Sequence, residues 1–240
     1  MRLYKVLFLV IVLLSCKRTL LSEPRFFTEF YGDTAYSGLI GFSSYLNFKA
    51  GVSFNQMDYY GFATYDWADT TGTDLPFQYR FQGLTAGLEA RYRFPGDAVR
   101  FFIGYGFGLT DDVSGEDDFR TGLTGYKHFE RDRHFSDIYG ELTWHSRAED
   151  AFLNLRYRPG YTLFRNETSR LWTYIPFQLL ASGKGDIGTE NRIETGIGLG
   201  YIMLNGKASL NLEMRAGHSF SGTIDDENYF NPVIIISVGF

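Results

Sequence analysis

Charged side chains recur at every second position along much of this chain, and any chemistry it performs has to be built from that spacing. In residues 192–203 the even positions begin with Arg192 and Glu194 and continue with Gly196, Gly198 and Gly200. The odd positions are Ile193, Thr195, Ile197, Leu199, Tyr201 and Met203. Residues 208–216 set Glu213 and Arg215 against Leu210, Leu212 and Met214, and residues 99–110 set Arg100 against Val99, Phe101, Ile103, Tyr105, Phe107 and Leu109. Successive side chains of a strand point to opposite faces, so each run has one oily face and one ionic or bare face. Collected along the chain, the ionic face holds Lys49, Arg80, Arg91, Arg93, Arg100, Arg156, Arg158, Arg192 and Arg215. Opposed to these are Glu89, Asp137, Glu141, Glu194 and Glu213. Two uses of this set follow from its chemistry. Arginine and glutamate on neighbouring strands can neutralise one another and stiffen an interior, since buried charges need partners. Alternatively the cations form a ladder, each guanidinium presenting a planar fork of donors to an anionic or hydroxyl-rich polymer.

Other reactive groups lead nowhere so definite. Arg215-Ala216-Gly217-His218-Ser219-Phe220-Ser221, followed by Asn231, faintly resembles the His-x-Ser of lipid A deacylases. Here one serine is adjacent to the histidine and the other is three residues away, so no catalytic residues are assigned and a non-enzymatic protein is expected. His128, His134, His145 and His218 have no metal-ligand spacing, and Cys16 is the single cysteine, so no metal, cofactor or internal disulfide is expected. The G-x-G runs open no helix and are not phosphate loops. Asn166-Glu167-Thr168 has the form of a glycosylation sequon and is assigned no role. Acidic clusters at Asp66, Asp69 and Asp74, at Asp111, Asp112, Glu116, Asp117 and Asp118, and at Asp225, Asp226 and Glu227 read as solvated loops. They are also suitable oxygen donors for divalent cations bridging to lipopolysaccharide phosphates.

The elements that must position these residues follow from the same period. Residues 1–22 read as an export signal, with Arg2 and Lys5 ahead of an apolar run at 6–14 that is too short to cross a bilayer as a helix. Within it Leu13-Leu14-Ser15-Cys16 resembles a lipoprotein-processing box, so Cys16 is either a lipidated first residue or part of a discarded leader. That segment carries four cations and no acid, and its removal takes the net charge from −5 to −9, which disfavours nucleic acid as a partner. Residues 23–240 lack a linker that would divide them and form one domain.

Twelve strands are expected within it, near 26–34, 44–56, 60–66, 77–94, 99–110, 119–129, 135–146, 151–164, 171–182, 192–203, 208–220 and 232–240, with a range of 10 to 14. A phase change at Gln82-Gly83 predicts a β-bulge in the fourth. Short connections alternate with long ones, as in a transmembrane antiparallel up-and-down β-barrel. The inward glycines are expected to leave room for a bulky neighbour such as Phe102 or Trp172.

The final segment, Pro232-Val-Ile-Ile-Ile-Ser-Val-Gly-Phe240, resembles the closing strand of bacterial outer-membrane barrels, in which Phe240 would be the assembly signal read by the barrel-assembly machinery. Phe135-Ser-Asp-Ile-Tyr-Gly-Glu-Leu-Thr-Trp144, Leu155-Arg-Tyr-Arg-Pro-Gly-Tyr161, Leu171-Trp-Thr-Tyr-Ile-Pro-Phe177 and Arg192-Ile-Glu-Thr-Gly-Ile-Gly-Leu-Gly-Tyr201 are together similar to the C-terminal barrels of exopolysaccharide-export and phage-adsorption proteins, over about residues 135–240. The resemblance implies residence in the bacterial outer membrane, contact with lipid and lipopolysaccharide, and a narrow channel or surface component for passage of a saccharide polymer. Such relatives carry a helical-repeat region ahead of the barrel, so coupling to a synthase here implies a separate periplasmic partner. Small twelve-stranded oligosaccharide channels share the size and the arginine-rich bore. A receptor acting through the long loops, for phage or another ligand, is the alternative from a different class, and an outer-membrane lipid hydrolase a third.

Overall fold

The structure, a computed structural model, describes residues 23–37, 41–69, 80–94, 97–109, 117–183, 191–221 and 228–239. The leader with Cys16, the terminal Phe240, and Asp74, Asp111, Asp112, Glu116, Asp225, Asp226 and Glu227 lie outside the described residues.

The alternating runs form strands β1 (Arg25–Ser37), β2 (Gly41–Phe54), β3 (Met57–Asp69) and β4 (Arg80–Phe94). They continue as β5 (Asp97–Gly108), β6 (Asp117–Arg131), β7 (His134–His145) and β8 (Asp150–Arg165). Then come β9 (Arg170–Tyr174), β10 (Phe177–Ser182), β11 (Asn191–Met203), β12 (Ala208–Ser221) and β13 (Asn228–Gly239). Apart from β9 and β10, each pairs antiparallel with its neighbours in sequence, and β13 pairs back onto β1 from Tyr31 opposite Gly239 to Ser37 opposite Val233, closing the sheet. Both β9 and β10 lie between β8 and β11. Tyr174 faces Gly160 and Phe177 faces Tyr157, so the register is unchanged across Ile175-Pro176 and the two pieces are one strand. Pro176 has no N–H to give the ladder, which accounts for the gap. The barrel therefore has twelve strands, as the period-two reading expects.

Boundaries move by a few residues, and the turn between β2 and β3 is Asn55-Gln56 rather than residues 57–59. Asn55 and Asp132 take positive φ (52° and 58°), a conformation their short polar side chains tolerate in the two-residue turns after β2 and β6. The expected bulge at Gln82-Gly83 is absent: β4 pairs with β3 from Asp69 opposite Arg80 to Met57 opposite Tyr92 without a shift. Irregularities occur instead at Asn191/Arg192 and between Thr162 and Phe164.

The wall is inside-out relative to a soluble protein. Leu88 and Ile197 are 67% and 63% exposed, while Glu194 and Glu213 are 1% and 2% exposed. A charge facing the middle of a bilayer costs roughly 2–4 kcal/mol, so this is the distribution of a barrel whose outer face meets lipid. Aromatic side chains brace the inner wall by lying on glycines directly across the ladder. Trp172 covers Gly200, Tyr174 covers Gly198, Phe135 covers Gly160, Phe102 covers Gly122 and Tyr229 covers Gly217, and at each a β-carbon would overlap the ring. Trp172 behaves as the sequence predicts. Phe102 uses the glycine of the next strand rather than one of its own.

Candidate functional site

Period two turns the even residues of β3, β5, β6, β8, β9, β10 and β11 and the odd residues of β1, β2, β4, β7, β12 and β13 toward the barrel axis. They enclose a cavity of about 1050 Å³ lined by residues of β1 to β8 and β10 to β13. A second cavity of about 650 Å³ lies at the end with the short turns, between Asn55, Gln56, Arg91, Arg93 and His128, and Arg100 borders both.

Most of the predicted ionic residues are drawn into two paired groups. Near the short-turn end, Arg91 reaches Asp58 (2.7 Å) and, three strands away, Glu29 (2.7 Å), while Arg93 shares Asp58 (2.9 Å). Above them Lys49 pairs with Glu89 at 3.3 Å, Tyr60 donates its hydroxyl to the same carboxylate, and Arg100 stands 3.8 Å from it. The other group is on β9 to β13. Glu194 accepts from Arg215 (2.8 Å), Tyr229 (2.9 Å) and Asn231 (3.2 Å) and lies 3.4 Å from Arg192. Arg215 also donates to Glu213 and to Gln178 (2.7 Å), and Tyr174 donates to Glu213 (2.6 Å). Such groups satisfy one another and lock neighbouring strands together.

Asp137 is bound by Tyr126 (2.9 Å) and His128 (2.7 Å), and Glu141 accepts from Tyr139 (2.7 Å). The side chain of Arg80 is outside the described set.

Arg156 and Arg158 differ. Neither has a carboxylate within 4 Å among the described residues. Arg156 lies over the ring of Tyr139 at 5.7 Å and donates to Asn154 at 3.3 Å, and Arg158 lies over Tyr174 at 5.8 Å. Arg156 is exposed and lines the larger cavity, the situation of a side chain facing the bore.

Several wall residues escaped the sequence reading. Glu29, Tyr31 and Asp33 of β1, Tyr45 and Asn47 of β2, and Asp58, Tyr60, Phe62 and Asp66 of β3 all face inward. Asp66 and Asp118, assigned above to loops, sit within strands, where Arg120 bridges them at 3.8 and 2.6 Å and His145 approaches Asp118 at 3.1 Å. With these acids counted, the described inner wall is close to charge-balanced, and the cation excess read from the sequence disappears. Their signal was present as alternation in residues 25–37 and 57–69, but aromatics on both faces of those strands blurred it.

The His218 motif comes apart: His218 is on the outer face bonded to Asn228 (3.1 Å), whereas Ser219 is on the inner face and wholly buried. The two cannot meet at one reacting atom.

No protein-family model matches the chain, and no curated protein is similar to it in sequence. Solved structures of similar form include the KdgM porin in complex with disordered oligogalacturonate (10% identity, 88% of this chain and 99% of that one, TM-score 0.48). Others are LpxR from Salmonella typhimurium (8%, 88% and 99%, 0.47) and a bacterial polysaccharide outer membrane secretin (12%, 89% and 97%, 0.45). These are likenesses of overall barrel form only.

Proposed function

We propose that this chain is a bacterial outer-membrane channel, and that a saccharide polymer passes through its bore along a wall of arginine and tyrosine side chains. The observation that carries the reading is the cavity of about 1050 Å³ inside a closed wall, meeting a second of about 650 Å³ at Arg100. Ligand-holding pockets usually enclose about 300–1,000 Å³, so this bore has room for several sugar units. Twelve strands give a width between barrels that side chains fill and those that leave an open channel. The paired groups narrow it further and give it a fixed shape. A separate periplasmic protein would deliver the polymer to the short-turn end. Catalysis is not part of the proposal; His218 and Ser219 are split between faces.

The test is conductance of the purified protein in planar bilayers. Discrete current steps are expected, interrupted by oligosaccharides added to the short-turn side. Arg156→Ala with Arg158→Ala is expected to shift the reversal potential in a salt gradient toward cations. Failure to conduct, or an unchanged reversal potential in the double variant, counts against it. Arg91 and Arg215 are poorer choices, because each already serves two carboxylates and its removal reports on folding as well.

A further inference from the structure

Midway along the bore two facing walls carry charges that the protein leaves unanswered, and what they imply rests on the channel reading above. Arg91, Arg93, Arg100, Arg120, Arg192 and Arg215 each have a carboxylate within 4 Å. Arg156 and Arg158 have tyrosine rings instead. A ring holds a guanidinium in place without neutralising it, so the donors along its edge stay free for an anion. The two arginines are two residues apart on one strand, on the same face, about 7 Å along β8.

The facing wall is β1 and β2. Asp33 has no cation within 4 Å among the described residues; it accepts a hydrogen bond from Tyr31 at 3.3 Å, and its Oδ1 has no donor. Asp33, Tyr31 and Tyr45 on one side and Tyr139 and Arg156 on the other line the same cavity, and Arg158 continues the face of Arg156 along β8. The rings of Tyr31 and Tyr45 are 5.4 Å apart and complete the acidic side. One wall therefore offers free donors with positive charge. The other offers the Asp33 carboxylate, which lines the cavity with one oxygen buried and unsatisfied, and two phenol hydroxyls.

We propose that this is a two-walled subsite for a sugar carrying an oxyanion. The carboxylate or phosphate substituent is taken by Arg156 and Arg158, and ring hydroxyls donate to Asp33 and exchange hydrogen bonds with Tyr31 and Tyr45. A bare anion would use only one wall and meet repulsion from Asp33. A neutral sugar would leave the arginines unanswered. An amine would sit against two cations.

The test is calorimetric titration of the full-length, detergent-solubilised protein with galacturonate, galactose 6-phosphate, galactose, galactosamine and acetate. One or both anionic sugars should bind at least tenfold more tightly than galactose and acetate, and the ratio between those two identifies the substituent. Arg156→Gln with Arg158→Gln should erase the preference. Asp33→Asn should weaken the anionic sugars about tenfold and leave acetate unchanged. Unaltered heat-modifiable mobility on gels would confirm that both variants fold. Acetate binding as tightly as galacturonate, galactosamine binding tightest, no measurable preference, or Asp33→Asn strengthening galacturonate each overturns the proposal. Conductance recorded in parallel separates the two readings: a conducting bore without the preference removes the subsite and leaves the channel, and a sealed bore removes the channel.

Discussion

Replacing Glu194 by alanine should be among the most damaging single changes to the wall, and the structure says by how much. Glu194 is 1% exposed and accepts from Arg215, Tyr229 and Asn231, with Arg192 at 3.4 Å. Removing one partner of a buried ion pair typically costs about 3–5 kcal/mol, because the remaining charge is left uncompensated. Arg215 would keep Glu213 and Gln178, which places the expected loss at the low end, about 3 kcal/mol, or roughly two decades in the folding equilibrium. Glu194→Gln retains the carbonyl acceptor and the shape, and should cost about 1 kcal/mol. Arg156→Ala is the internal comparison: no carboxylate depends on it, so its effect should stay within about 0.5 kcal/mol. Equilibrium unfolding in denaturant, in detergent micelles, measures all three. A loss below about 1 kcal/mol for Glu194→Ala, or equal losses for Glu194→Ala and Arg156→Ala, would refute the division of the bore into paired structural groups and unpaired contacts.

Gly200→Val forces the indole of Trp172 off the wall and should destabilise by about 1–3 kcal/mol, whereas Gly125→Ala, with open space around it, should be neutral; both are read from the heat-modifiable gel shift. Asp58→Ala releases Arg93 and leaves Arg91 on Glu29 alone at the short-turn mouth, so anion permeability measured by reversal potential should rise. An unchanged or more cation-selective channel would mean that these arginines do not face the permeating path.

The architecture was legible because its driving pattern is local. Ile193 to Met203 and Ala208 to Ala216 alternate cleanly, and a register error of one residue would turn every charge of such a strand into lipid. Pairing was not legible. Arg91 finds Glu29 three strands away, and Arg120 finds Asp66 likewise, contacts set by barrel closure and strand stagger rather than by spacing along the chain. Tyrosine explains the omissions on β1 to β3. It is apolar enough for the outer face and polar enough for the inner one, so Tyr31, Tyr45 and Tyr60 inside and Tyr36, Tyr59 and Tyr65 outside look alike in sequence. The false bulge at Gln82-Gly83 has the same root: aromatic residues ahead of position 82 look outward-facing in sequence, whereas the ladder keeps its register from position 80 onward. The distinction that matters most for function, arginines held by carboxylates against arginines held by rings, needs three-dimensional neighbours to be seen.

The most direct test of the central claim is accessibility to a charged, membrane-impermeant thiol reagent in intact outer-membrane vesicles, using single cysteines at positions 156 and 197 in a Cys16→Ser background. The account predicts rapid modification at position 156, from bore water, and none at position 197, on the lipid face. Modification at 197 with protection at 156 would contradict it.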